Sequence, residues 1–256
     1  MILTIDHQGV SMIIKRIAIA LLGVAATIAL LSCTATSPAF PIASASVAQN
    51  GDQGSLKTLY AELAGAGGKV FTLDAKTSTV RIYAFRGGRA GKVGHNHVLS
   101  APQFTGFVYL PSSETSSARF DLEFRLDQLE IDNPEHRSRL GSAFSSVLTT
   151  AAIEGTRDHM LGDDNLQADR FPFIRVHSLQ ISGEGPKFAA KVQVEMHGQK
   201  REMWVPLSVE SLPDRLSVTG SFVLRQTDFG AQPYSVLGGL LAVQDEVVIE
   251  FELVGV

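Results

Sequence analysis

Cysteine is almost absent from the chain, and charge is moderate at 19% of 256 residues. The lone Cys33 excludes an intramolecular disulfide and any zinc site built mainly on thiolates. Lysine and arginine total 22 against 26 aspartate and glutamate, a formal charge of −4. With no basic excess to neutralise phosphates, nucleic acid is a poor partner. The Gly-rich stretch Ala64–Val70 lacks the Gly-Lys-Ser/Thr ending of a phosphate loop. No HExxH helix, G-x-S-x-G elbow or calcium loop with its central glycine occurs. These absences point away from common enzyme classes.

The N-terminus carries a positive signal. Lys15 and Arg16 precede an apolar stretch of roughly 15 residues, the layout of a secretory signal and shorter than the roughly 20 residues of a membrane span. The stretch ends at Leu30-Leu31-Ser32-Cys33, which looks like a bacterial lipobox. Cys33 would then become the first mature residue and carry acyl chains, two or more of which anchor stably. Plain secretion with cleavage after Ala43-Ser44-Ala45 is the alternative. Asp6 and His7 suit a signal poorly, so translation is expected to start at Met12. The expected organisation is a signal over residues 1–33, a flexible Ala/Ser/Gly/Pro linker over 34–68 and one domain over 69–256. A short helical turn fits Leu56–Leu63 within that linker.

From Val70 onward apolar and polar residues alternate with period two, the mark of strands with one buried face. Phe120, Leu122, Phe124 and Leu126 alternate with Asp121, Glu123, Arg125 and Asp127. Similar runs lie around Val80–Ala84, Phe104–Leu110, Ile174–Val176, Phe188–Met196, Met203–Val209, Leu216–Leu224 and Val247–Leu253. Eight strands joined by short polar turns describe an antiparallel meander, either a sandwich or an up-and-down barrel. Asp121 and Glu123 read as a solvated face. Between Pro134 and Gly162 the apolar spacing is nearer helical, with Pro134 suited to a first helical turn, so one or two inserted helices are expected.

The stretch Leu166–Val176 is followed by Val194-Glu195-Met196-His197-Gly198, Gln226-Thr227-Asp228-Phe229-Gly230 and Asp245-Glu246-Val247-Val248-Ile249. In this order and spacing they resemble the YceI-like family of periplasmic lipid-binding proteins, over roughly Lys69 to Val256. The resemblance implies an all-β, eight-stranded antiparallel lipocalin-like barrel with a short helical insertion. It also implies non-enzymatic binding of a polyisoprenoid, an isoprenoid quinone or a similar lipid on the periplasmic side of the bacterial envelope. No cofactor beyond such a lipid is implied, and a homodimer stays open. The segment Gly88–Leu99 and the length of the Pro134–Gly162 insertion depart from the commoner family pattern.

If the inward residues enclose a hollow, its candidate lining is Phe104, Val108, Phe120, Leu122, Phe124, Val192, Val194, Val205, Leu207, Val218 and Phe222. Gly106, Ala190 and Gly220 among them would leave room for a ligand. A solid core, with small positions facing large ones, is the alternative. At about 0.8 kcal/mol per buried CH₂, one isoprene unit gains roughly 3–4 kcal/mol before losses. Several units would exceed the roughly 8 kcal/mol of micromolar binding, so such a site needs few polar groups.

His95 and His97 lie two apart and share one face of a strand. They are candidates for turn hydrogen bonds, for contact with a ligand headgroup, or for a metal with His159, His177 or His197 as a third ligand. A metal-binding protein or metalloenzyme is therefore the competing function.

Overall fold

The computed structural model describes residues 53–112 and 115–256. The signal, Cys33 and its lipobox, the expected start at Met12 and the first part of the linker lie outside the described residues. Within them, no helix is long and apolar enough to cross a membrane.

Among the described residues, twelve strands form one antiparallel sheet. They are β1 Lys69–Thr72, β2 Thr79–Gly87, β3 His97–Ser100, β4 Thr105–Leu110, β5 Arg119–Arg125 and β6 Glu130–Ile131, followed by β7 Phe173–Glu184, β8 Lys187–Met196, β9 Gln199–Leu212, β10 Arg215–Arg225, β11 Ser235–Val236 and β12 Leu241–Gly255. Strands occur at every stretch of alternation, but among the described residues the count is twelve rather than eight. The additional β1, β3, β6 and β11 have two to four residues each, too few for a period to register.

The spatial order is β1-β4-β5-β7-β8-β9-β10-β12-β2-β3-β6, with β11 beside β12. The sheet curls until its β1 edge meets β12. Thr72 and Val256 exchange both backbone hydrogen bonds at 2.9 and 3.0 Å, and Leu73 pairs with Gly255. Register is fixed by tight turns, since a slip of one residue would turn every apolar side chain outward. Between β8 and β9 the two-residue turn His197-Gly198 has positive φ at both positions, 51° and 69°, the geometry that matches strand twist. A Cβ at Gly198 would lie 2.6 Å from the Phe171 ring, so glycine is required there.

Among the described residues, three α-helices dress this sheet. The residues expected as the end of a flexible linker instead form α1, Gln53–Gly65, a full helix rather than one turn. Its Leu56, Leu59, Tyr60 and Leu63 pack with Phe107, Tyr109 and Val70. The expected insertion contains α2, Pro134–Ser138, and α3, Thr150–Leu161. Pro134 sits in the first turn of α2 behind the Asn133 cap, whose side chain accepts from Glu135 N at 2.9 Å. Ile153, Met160 and Leu161 of α3 pack against the main core.

Candidate functional site: an apolar cavity

Inside the curled sheet lies a cavity of about 630 Å³. That is within the range of about 300–1,000 Å³ of small-molecule sites. Its wall is built from the inward residues of successive strands, from Val108 and Leu110 of β4 through Leu122, Val176, Val192, Val205 and Val218 to Ile249 and Phe251 of β12. One end is marked by Phe124, Ile174, Met196, Leu224 and Val247. The segments beyond this end bury Leu126, Leu129, Leu166, Phe229 and Ala231 in the same core. The opposite end is bordered by Pro111, Gly185, Pro186 and Ser211, of which the last three are exposed, and forms a mouth.

Among the described residues, two of those lining the cavity have polar side chains, Arg119 and Ser211. Arg119 alternates with Phe120 and shares the outer face of β5 with Asp121; its charge is felt by the Tyr60 phenol outside the sheet. Ser211 stands at the mouth. The wall therefore offers dispersion and apolar burial along its length, with no buried charge.

Of the eleven residues expected to line a hollow, Val108, Phe120, Leu122, Phe124, Val192, Val194, Val205, Leu207, Val218 and Phe222 do so. Phe104 does not; it precedes β4 and packs against the core from outside the lining. The expected source of the room is also corrected. Gly106, Ala190 and Gly220 are absent from the lining. A Cβ on Gly106 would lie 2.7 Å from Leu73, and one on Gly220 would lie 2.5 Å from the Phe251 ring. Large neighbours fill those places, and the hollow comes from the curvature of a wall of branched side chains.

His95 and His97 lie outside the cavity lining, so they do not stand where a headgroup contact was expected. His95 is exposed, with Nδ1 3.1 Å from Ser146 Oγ. His97 Nδ1 lies 2.6 Å from Asp132 Oδ2. Asp132 is fully buried and also accepts from Val98 N at 3.0 Å and from Arg137. Arg137 in turn donates to Asn96 O at 2.7 Å and to Ser146 Oγ at 2.9 Å. The two histidines are thus opposite ends of one polar network that pins the insertion to β3. Burial raises the Asp132 carboxyl, but His97, the Val98 N–H and Arg137 outweigh it and hold it below the usual 3.8.

The other histidines are dispersed. His159 packs against Tyr234, His177 Nδ1 lies 2.6 Å from Asp121, and His197 Nδ1 donates to Phe229 O at 3.0 Å. Among the described residues no three His, Cys, Asp or Glu side chains are grouped to hold a metal.

Asp121 and Glu123, expected on a solvated face, are buried at 7% and 1% exposure. Asp121 is covered by α1, whose Tyr60 donates to it, and Glu123 accepts from Arg175 Nε at 2.7 Å. Burial, then the Asp121 charge, pushes the Tyr60 phenol far above its ordinary range.

The YceI-like domain matches residues 71–255, which takes in the whole cavity wall. The chain belongs to the YceI-like family. Among solved structures, this YceI-like domain is similar to Burkholderia cenocepacia BcnA at 15% identity and a TM-score of 0.53, over 72% of this chain and 99% of that one. A Campylobacter jejuni YCEI protein aligns at 8% identity and a TM-score of 0.42, over 60% of this chain and 82% of that one. At these identities the likeness concerns the fold alone. No curated protein matches the chain.

Proposed function

We propose that this YceI-like domain is a non-enzymatic carrier of a long apolar amphiphile, such as an isoprenoid quinone or polyprenyl chain, working on the periplasmic side of the bacterial envelope. The observation that carries the reading is the cavity of about 630 Å³ whose polar lining, among the described residues, is confined to Arg119 and the mouth residue Ser211. At about 30 Å³ per small group, the share of one liquid water, it accommodates on the order of 20 carbon-sized groups, or about four isoprene units. Val108, Phe120, Leu122, Phe124, Val192, Val194, Val205, Leu207, Val218 and Phe222 are the contact residues in this reading. Family membership supports both the hydrophobic ligand and the periplasmic setting.

In the same reading, the wall closes as a lipocalin-like barrel through the Leu73–Gly255 pairing, and acyl chains on Cys33 hold the domain near its membrane. A headgroup would protrude at the mouth, where it needs no matching charge. Native mass spectrometry of protein extracted from its own membranes tests the proposal. A co-purified long-chain lipid at one per domain is expected; a lipid-free protein carrying a stoichiometric transition metal would overturn it.

A further inference from the structure

The wall of the cavity is not paired along its whole height. Strand β9 is hydrogen-bonded to β8 from Gln199 to Ser208. On its other side, its ladder to β10 runs only from Leu212↔Arg215 to Leu207↔Gly220. Beyond that point β10 continues to Arg225 against β12 alone. The edges of residues 199–206 and 221–225 therefore face each other without a ladder.

The sequence explains why the split starts there. Pro206 is the first residue past the last pair, and it has no N–H to donate. A second hollow of about 620 Å³ meets the same point. Pro206, Gly220 and Ser221 line it, and it shares Phe188, Leu207 and Phe251 with the main cavity. Continuing the register of Leu207↔Gly220 sets Val223 opposite Trp204 across the split. Both face outward and are exposed, at 58% and 51%.

We propose that the split between β9 and β10 is a side portal that meets a lipid bilayer and passes an apolar chain between bilayer and cavity. This rests on the carrier reading. Large apolar side chains exposed on each side of an unladdered seam in the wall of an apolar cavity match a lipid surface better than water. A tryptophan ring, apolar in body with one N–H, suits the headgroup boundary. The nearby charges are of both signs. Lys191 pairs with Glu202, Lys200 with Glu195 and Arg225 with Asp228, and Arg201 lies on the unladdered edge. Arg81, Lys187, Glu250 and Glu252 line the second hollow, and together these charges make a mixed polar rim that suits a headgroup layer. A chain leaving through a mouth that faces water would expose its whole length. Through the side, each unit exchanges bilayer for cavity wall.

Trp204 is the chain's only tryptophan, so the unmodified protein reports on this face. In phosphatidylethanolamine–phosphatidylglycerol vesicles with brominated acyl chains, its emission is expected to shift to the blue and fall by about half, as an indole at the interface would. Unchanged emission after reconstitution into the vesicles overturns the portal. A second experiment uses retinol as the apolar isoprenoid probe, transferred from vesicles to the full chain. Trp204→Cys and Val223→Cys, in a Cys33→Ser background, are joined across the split by a short bis-maleimide, with the unlinked thiols as the folding control. Linking is expected to slow transfer about tenfold while leaving the amount bound at equilibrium unchanged, as expected for a kinetic gate. Equal rates with and without the link overturn the portal and leave the carrier standing. No retinol uptake at equilibrium by the unmodified chain overturns the carrier reading and the portal with it.

Discussion

The Tyr60 hydroxyl donates to Asp121 Oδ2 at 2.7 Å, while the other Asp121 oxygen lies 2.6 Å from His177 Nδ1. Through this contact α1 reaches from the N-terminal side of the domain onto the outer face of β5. The Tyr60 ring stacks on Phe107 with centroids 5.1 Å apart, so the helix is held by apolar burial and by one charge-assisted bond.

Replacing Tyr60 with phenylalanine keeps the stacking and removes the bond. A hydrogen bond to a charged group contributes about 1.5–3 kcal/mol, and Tyr60→Phe is expected to lose that much. Amide exchange over residues 53–65 should speed up while the β8–β9 hairpin stays protected. Unchanged exchange in α1 would show that the helix is held by its apolar contacts alone.

The Asp132 network predicts an acid limit to stability. Its carboxyl is held below 3.8 in the fold, so the unfolded chain takes up the proton first as the pH falls. The stabilisation is complete above about 3.8 and is lost as the pH drops through the lower folded value. Asp132→Asn leaves Arg137 buried without its counter-charge and is expected to cost about 3–5 kcal/mol at neutral pH. Urea unfolding from pH 2 to 7 should show the variant's curve flatter than the parent's in the acid range; parallel curves would remove Asp132 from the account.

Neither histidine of the Gly94–Val98 segment lines the cavity, so His95→Ala should leave retinol affinity within about threefold of the parent, less than one lost hydrogen bond. His97→Ala should do the same for affinity and lower thermal stability, because Asp132 loses a partner. A tenfold affinity loss in His95→Ala would return the headgroup contact to consideration.

Filling the cavity separates binding from folding. Val218 is half-buried and points into open space, so Val218→Trp should cost less than the usual 1–3 kcal/mol of overpacking. Retinol affinity should nonetheless fall by at least about tenfold, because the indole occupies ligand volume. Unaltered affinity in a folded variant would place the ligand elsewhere.

How much of this was legible in the sequence depends on which neighbours a residue has. The alternation at Phe120, Leu122 and Phe124 places β5 and its inward face correctly, because period two follows from strand geometry alone. The outward Asp121 and Glu123 look solvated in sequence, since nothing local reveals that α1 and Arg175 cover them. Tyr60 carried the missing signal: a large aromatic among Leu56, Leu59 and Leu63 at helical spacing needs something to pack on. Gly106 and Gly220 misled for a related reason. A small inward residue makes room only if no larger side chain leans into its place, and Leu73 and Phe251 do so. His95 and His97 suggested a joint site by spacing, but their partners, Ser146 and Asp132, lie 51 and 35 residues away.

The central claim is that a dry, chain-shaped cavity binds by length of hydrocarbon rather than by polar recognition. Calorimetric titration of the full chain with geraniol, farnesol and geranylgeraniol tests it most directly. Each added isoprene unit should tighten binding at least about tenfold, a small net share of the roughly 3–4 kcal/mol gross gain, until the cavity is filled at about four units. Affinity that does not change with chain length, or no binding by any of the three, would contradict it.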